Sequence, residues 1–451
     1  MPPKSPLFSC SKCGAQTPKW SGRCLECGRW GTIAEDAGAP SAAKAAIART
    51  GVRPGAVVTL DAVQKTTRPR MMSGNAELDR VLGGGIVPGA VLLLAGEPGI
   101  GKSTLLLSLA KDATQSILYV AGEESPEQIA LRAARLGVEN AAVSFLTDTD
   151  TDVITATIAH LKPRLVIVDS IQTVRTPAAE SEAGTVTQLR ASGAMLAAVA
   201  KETGIPIILV GQVTKDGSIA GPKTLEHLVD VVLSFEGDAA GGLRMLRAEK
   251  NRFGPTDEVA IFRMAANGLV PETNPSKILL ADRRSGASGS AICCFLEGNR
   301  PLLVEIQALV VKSPYPNPIR RTSGYDTSRL QMLLAVLERR TGIGFSGTDV
   351  HVNVVGGVAL RDPSTDLAVA LALASAVSDV PLDPQMVALG EIGLGGEVRS
   401  VSHLEKRLAE CAALGFTTVL GPGAPQKKTT VVYRGVATLT EALGVAGIRV
   451  R

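Results

Sequence analysis

The sequence predicts an α/β protein whose central part is a parallel sheet, with a short cysteine-rich module before it and a second α/β region after it. Three observations carry the prediction. Four of the seven cysteines fall within residues 1–31 as two CxxC pairs. A GxxxxGK[ST] turn separates an apolar run from a helical one. From about residue 57, short β-rich runs alternate with helical stretches, as strands do with crossover helices. The 451 residues allow two to four domains. With 45% hydrophobic and 20% charged residues, the chain is neither fibrous nor mostly disordered.

Cys10-Ser-Lys-Cys13 and Cys24-Leu-Glu-Cys27 are separated by ten residues. Each knuckle presents two thiolates, and two knuckles complete a tetrahedral sulfur shell suited to Zn²⁺. A pair of redox disulfides is the competing reading, disfavoured by the cytoplasmic location expected of a chain with no apolar leader in residues 1–9. A closed Cys₄ shell has no open position, so zinc here is structural. So short a segment depends on the metal for its folding energy. Trp20 and Trp30, the only tryptophans, flank the second knuckle and are expected to pack on it. Residues 32–56, rich in Ala, Gly and Pro without apolar periodicity, read as a linker.

The next region, 57–272, has expected strands at 91–95, 117–121, 165–169, 207–210, 229–235 and 243–249. Gly96-Glu97-Pro98-Gly99-Ile100-Gly101-Lys102-Ser103-Thr104 joins the first of these to a helix. That is a P-loop in its required context: backbone amides wrap phosphates, Lys102 reaches the β/γ oxygens and Ser103 binds Mg²⁺, which makes ATP the expected ligand. Asp169 ends an apolar strand where a carboxylate can hold the Mg²⁺ shell. Glu123 ends a strand expected beside the P-loop strand and is the candidate general base, with Glu124 as the alternative. Gln212 ends a third strand as a candidate γ-phosphate sensor. It leads into a glycine-rich loop at 213–226 whose Lys215 and Lys223 could grip a nucleic-acid backbone, although a solvated surface loop reads almost as well.

A boundary is expected near 271–277, with a second α/β domain over 278–451. Its expected strands include 302–311 and 350–355, and its helices 327–340, 365–377 and 403–414. Residues 310–345 carry six bases against two acids, Arg320 and Arg321 among them, in and beside a Pro-rich stretch. This is either a second nucleic-acid-binding surface or a solvated charged face.

Charge placement sharpens this picture. The formal +4 comes from 47 basic and 43 acidic residues, and all of it sits in residues 1–31; the remainder is balanced at 42 of each sign. Four thiolates on one Zn²⁺ add about −2, leaving the metallated module near +2. Aromatics at 3% disfavour a nucleic-acid reader built on stacking platforms. The longest apolar runs fall short of the roughly 20 residues of a membrane span, so no membrane partner is expected.

Asn75 to Gly89, leading into the P-loop, resembles the lead-in of RecA-like ATPases. Lys250-Asn251-Arg252-Phe253-Gly254 resembles the KNRFG signature of the RadA (Sms) family of bacterial DNA-repair proteins, whose order of parts fits the whole chain. The resemblance implies a RecA-like P-loop ATPase core between the Cys₄ zinc module and a C-terminal Lon-protease-like domain. It further implies a homo-hexameric, DNA-dependent ATPase that translocates on single-stranded DNA and processes branched recombination intermediates, with RecA recombinase as partner. Lys250 and Arg252 would then complete a neighbouring subunit's site. A nucleotide-gated binding module without motor activity is the main alternative, and an ATP-dependent protease a weaker one. Asp362-Pro-Ser364 matches the Lon nucleophile segment, but Glu405 falls where the Lon pattern carries its catalytic lysine. The expected domain is therefore proteolytically inactive, with Ser364 as a turn or cap residue.

Overall fold

The computed structural model describes residues 8–13, 15–17, 19–35, 59, 61, 69–111, 116–138, 142–212, 224–237, 242–284, 286–425 and 429–449. Two compact units are formed, Met1–Thr67 and Arg68–Arg451. In the first, strands Gln16–Thr17, Phe8–Cys10 and Ile33–Glu35 make a small antiparallel sheet. Among its described residues Cys10, Cys24 and Ile33 form the buried cluster, with Phe8 and Ala15 packed on them. So little apolar burial leaves the stability to the cysteine cluster.

The second unit opens on a nine-stranded sheet. Six strands run parallel, in the order Val231–Glu236, Val91–Gly96, Ile207–Gln212, Leu165–Asp169, Ile117–Ala121 and Val143–Leu146. Leu243–Asn251, Val259–Ala265 and Gly268–Pro271 extend it antiparallel from Val231–Glu236. Side-chain alternation covers both faces. Leu92, Leu94, Tyr119 and Ile208 pack against Leu105, Ile129 and Leu136 on one side. Leu93, Leu118, Val166 and Leu209 pack against Ile154, Ile158, Leu189 and Leu196 on the other. Strands buried on both faces read as continuous apolar runs, which is why they were visible in the sequence.

One expectation fails here. The Glu123 strand is not beside the P-loop strand: Ile207–Gln212 and Leu165–Asp169 lie between them. Crossover connections decide strand order, and apolar patterning carries no record of it.

The C-terminal sheet runs Arg320–Ser323, Thr348–Val354, Arg300–Lys312, Ser290–Glu297, Met386–Ala388, Thr418–Pro422 and Val432–Val436. Helix Asp366–Ser378, apolar around its whole circumference, is buried from Asp366 to Ser375. It is covered by helices Thr327–Thr341 and Leu439–Val445, while Leu404–Ala413 covers the other face. The expected boundary at 271–277 holds the end of strand Gly268–Pro271 and the short helix Pro275–Leu279. The regions on either side of it share a core. Strand Val259–Ala265 sends Ala260 and Phe262 into the first core, and Val259 and Ile261 into the second. Arg247 pairs with Glu297 at 2.8 Å across the same seam.

Candidate nucleotide and metal sites

The P-loop closes over the end of strand Val91–Gly96. Gly101 caps the following helix, Lys102–Ser108, at φ 115°, a conformation that L side chains rarely adopt. Buried Arg244 donates to the Ile100 carbonyl at 3.2 Å and ties the loop to the antiparallel extension. The Lys102 ammonium donates to the carbonyls of Gly96 at 2.8 Å and Glu97 at 2.9 Å. Burial lowers its pKa, and the charges of Asp169 and Glu123 oppose that shift.

Glu123 is brought to this site from three strands away. Gly122 makes that possible, because a Cβ there would lie 1.9 Å from Thr173 Oγ1. The Glu123 carboxylate accepts from Ser170 Oγ, and from Gln212 Nε2 at 2.9 and 3.1 Å. Glu124, the alternative base, is engaged in an ion pair with Arg132. Asp169 accepts from the Tyr119 hydroxyl at 2.5 Å, and burial with the nearby carboxylate pushes the Tyr119 pKa up, so that it stays a donor. Lys102, Glu123, Asp169 and Gln212 thus converge at the C-terminal ends of four parallel strands, the ligand-binding edge of an open α/β sheet. Arg244, Tyr119 and Ser170 belong to this network and were not singled out in the sequence. Only a tyrosine inside the otherwise aliphatic 117–121 strand hinted at it.

Lys250 and Arg252 lie elsewhere. Lys250 is on the Val232 rung and Gly96 on the Phe235 rung, so Lys250 stands about 10 Å along the sheet toward the opposite end. Its ammonium donates to Glu226 O at 2.5 Å and Val229 O at 2.9 Å, and Arg252 pairs with Asp230 at 3.0 Å. Neither cation belongs to the P-loop site of its own chain. Lys215 and Lys223 fall outside the described residues.

In the cysteine module, Cys10 and Cys27 sulfurs are 3.8 Å apart and Cys13 and Cys24 sulfurs 3.7 Å, with all four within 4.8 Å. A tetrahedral ion with Zn–S bonds of about 2.3 Å requires sulfurs about 3.8 Å apart. The donor set therefore fits zinc. Trp20 and Trp30 do not bury themselves on the knuckle as expected: they are 64% and 74% exposed.

The Lon-type expectation is corrected in its register. Opposite Ser364 stands Arg407, not Glu405. Fully buried, Arg407 donates to Ser364 Oγ at 2.8 Å, Asp362 at 2.7 Å, and the carbonyls of Cys294 and Ser402 at 2.5 and 2.9 Å. Lys406 points away to Asn299. A guanidinium cannot accept a proton, so this pair has no general base and Ser364 is not activated. Two expected DNA contacts also separate. The Arg320 guanidinium is committed to the carbonyls of Thr348, Ile319 and Phe345, whereas Arg321 is exposed.

Fold and sites together define a P-loop ATPase core carrying a cysteine metal module and a Lon-type domain. Family models match in the same order: a rubredoxin metal binding domain over 8–35, an AAA domain over 60–218 and a Lon protease (S16) C-terminal proteolytic domain over 335–440. The chain is 44% identical to the DNA repair protein RadA of Bacillus subtilis (strain 168), over 97% of both chains. It is 46% identical to that of Brucella abortus (strain 2308), over 91% of this chain and 90% of that one. With that of Mycobacterium tuberculosis (strain ATCC 25618 / H37Rv) identity is 48%, over 92% and 87%. The chain belongs to the RadA family of DNA repair proteins. Among solved structures it is similar to the RadB recombinase, at TM-score 0.36 and 27% identity over 44% of this chain and 97% of that one. It is also similar to the ATPase domain of G40P, at 0.41 and 15% over 47% and 94%. No helix among the described residues is long and apolar enough to cross a membrane.

Proposed function

We propose that this protein is a DNA-dependent ATPase that translocates on single-stranded DNA and processes branched recombination intermediates, working as a homo-hexamer beside the RecA recombinase. One observation carries the reading. Gln212 donates to Glu123 and directly precedes the sequence segment that carries Lys215 and Lys223. A group that touches the base and adjoins a basic segment would link γ-phosphate state to DNA contact. Lys102 and Ser103 would hold the nucleotide with Mg²⁺, Asp169 would hold the ion's shell, and Glu123 would take the proton of the attacking water. Turnover of ATP with and without single-stranded DNA, alongside directional unwinding of a forked duplex, tests it. DNA-independent turnover with no unwinding would leave only the gated binding module.

In this assembly Lys250 and Arg252 act on the neighbour's phosphates, since their own site lies at the other end of the sheet. Lys250→Ala is expected to lower DNA-stimulated turnover on the order of a hundredfold or more. Mixing it with Lys102→Ala, itself inactive, restores activity, because mixed rings contain sites with an intact P-loop facing an intact Lys250. Mixtures no more active than either parent would remove the trans role.

A second DNA contact is assigned to the exposed Arg321. Arg321→Ala should lower the salt dependence of DNA affinity by about one unit of slope. An unchanged slope would return this surface to a solvated face.

A further inference from the structure

Among the described residues, the two tryptophans of this chain are not covered by any partner large enough to bury them. Both lie in the cysteine module, and both are mostly exposed. They also lie together. A Cβ added to Gly22 would sit 3.5 Å from Trp30 Cζ3 and 4.0 Å from Trp20 Cη2, so the two indoles converge on one bare glycine. Their positions are fixed. Trp20 Nε1 donates to Ile33 O at 3.2 Å, Trp30 pairs with Arg23 in an isolated bridge, and Gly31 N donates to Gly22 O at 2.8 Å. The second CxxC knuckle lies between them in sequence, so the metal that fits there would stiffen the pair.

Bases are interleaved with the rings. Lys19 precedes Trp20, Arg29 precedes Trp30 and Arg23 stands between, and all three are exposed. Two rigid rings beside cations are what a single-stranded nucleic acid requires: π-faces for unpaired bases and positive charge for the backbone. A merely apolar partner would gain nothing from the cations. The 3% aromatic content conceals this, because a stacking site needs only two rings in one place. We propose that Trp20 and Trp30, with Lys19, Arg23 and Arg29, form a stacking site for unpaired nucleotides.

The proposal rests on DNA being a ligand of the protein, and the test separates the two. Indole emission of the full chain reports on this module alone, because no other tryptophan exists. Oligothymidylate is titrated while its anisotropy and the tryptophan emission are followed together. The expected result is a saturable quench that tracks the anisotropy. Trp20→Ala and Trp30→Ala should each raise Kd roughly tenfold, with one zinc per chain retained as a check on folding. Trp30→Phe, which keeps a ring, should recover most of the affinity. Anisotropy that rises with no quench, and variants that bind normally, would overturn the stacking site while leaving DNA binding intact. Absence of any anisotropy change would overturn both. Variants that bind DNA normally but lose stimulation by a recombinase would make this a protein-docking face and equally refute the proposal.

Discussion

Glu123→Gln loses ATP turnover by on the order of 10²–10⁴-fold while nucleotide binding survives. The magnitude is that of removing a positioned general base. Binding survives because Lys102 and the loop amides do not depend on Glu123 for their position: Lys102 donates to Gly96 O and Glu97 O, and Arg244 ties down Ile100 O. Lys102→Ala, by contrast, loses binding and turnover together. Glu124→Gln is the control, since Glu124 is engaged by Arg132 on the helix that follows. It should leave turnover within about threefold, the range of a surface ion-pair loss. The same variant decides between motor and switch. If Glu123→Gln protein still unwinds forked DNA, hydrolysis is dispensable and nucleotide binding alone gates the protein. If it binds ATP and DNA but does not unwind, the motor reading stands. Nucleotide binding, steady-state turnover and unwinding on one preparation give the answer.

How far these roles were legible in the sequence depends on what fixes each residue. The P-loop was legible because backbone amides can surround phosphates only with glycines at set positions and a lysine at a set reach. The cysteines were legible for the same kind of reason, since tetrahedral coordination demands paired knuckles. Glu123 was found as a strand-end carboxylate, but its neighbours were not, because three crossovers decide that Gln212 and Ser170 meet it. The choice of Glu123 over Glu124 came from Arg132, eight residues on. The Trp pair shows the limit from the other side. Their positions flanking the second knuckle suggested that they pack on it, and a core of three buried residues among those described was too small to bury two indoles. At Ser364 the failure was one of register. The resemblance puts Glu405 at the lysine position, two residues from Arg407, and on a helix two residues turn the side chain by about 200°.

Arg407 is where the largest stability effect is expected. Its guanidinium is fully buried and serves Ser364, Asp362, Cys294 O and Ser402 O. Arg407→Ala leaves those acceptors and the Asp362 charge without their donor, a change that costs about 3–5 kcal/mol when one partner of a buried pair is removed. The pair also sets a pH dependence. Burial alone would raise the Asp362 pKa, but the Arg407 guanidinium and the amides of Leu296 and Ser364 overcome it and hold the carboxyl below its ordinary value. A carboxyl depressed in the folded state contributes stability that is complete above its unfolded pKa, about 3.9, and lost as pH falls through the folded value. Denaturant melts of the parent should therefore weaken below about pH 4, and those of Arg407→Ala should lack that component. Arg407→Lys retains a charge on a shorter, single-point donor and is expected to recover only part of the loss. It also puts an amine near Ser364, but the serine is 3% exposed, so no peptide reaches it. Casein cleavage by Arg407→Lys protein that Ser364→Ala then abolishes would show that burial does not close the site. Stability of Arg407→Ala equal to the parent both above and below about pH 4 would show that the guanidinium does not hold the domain together.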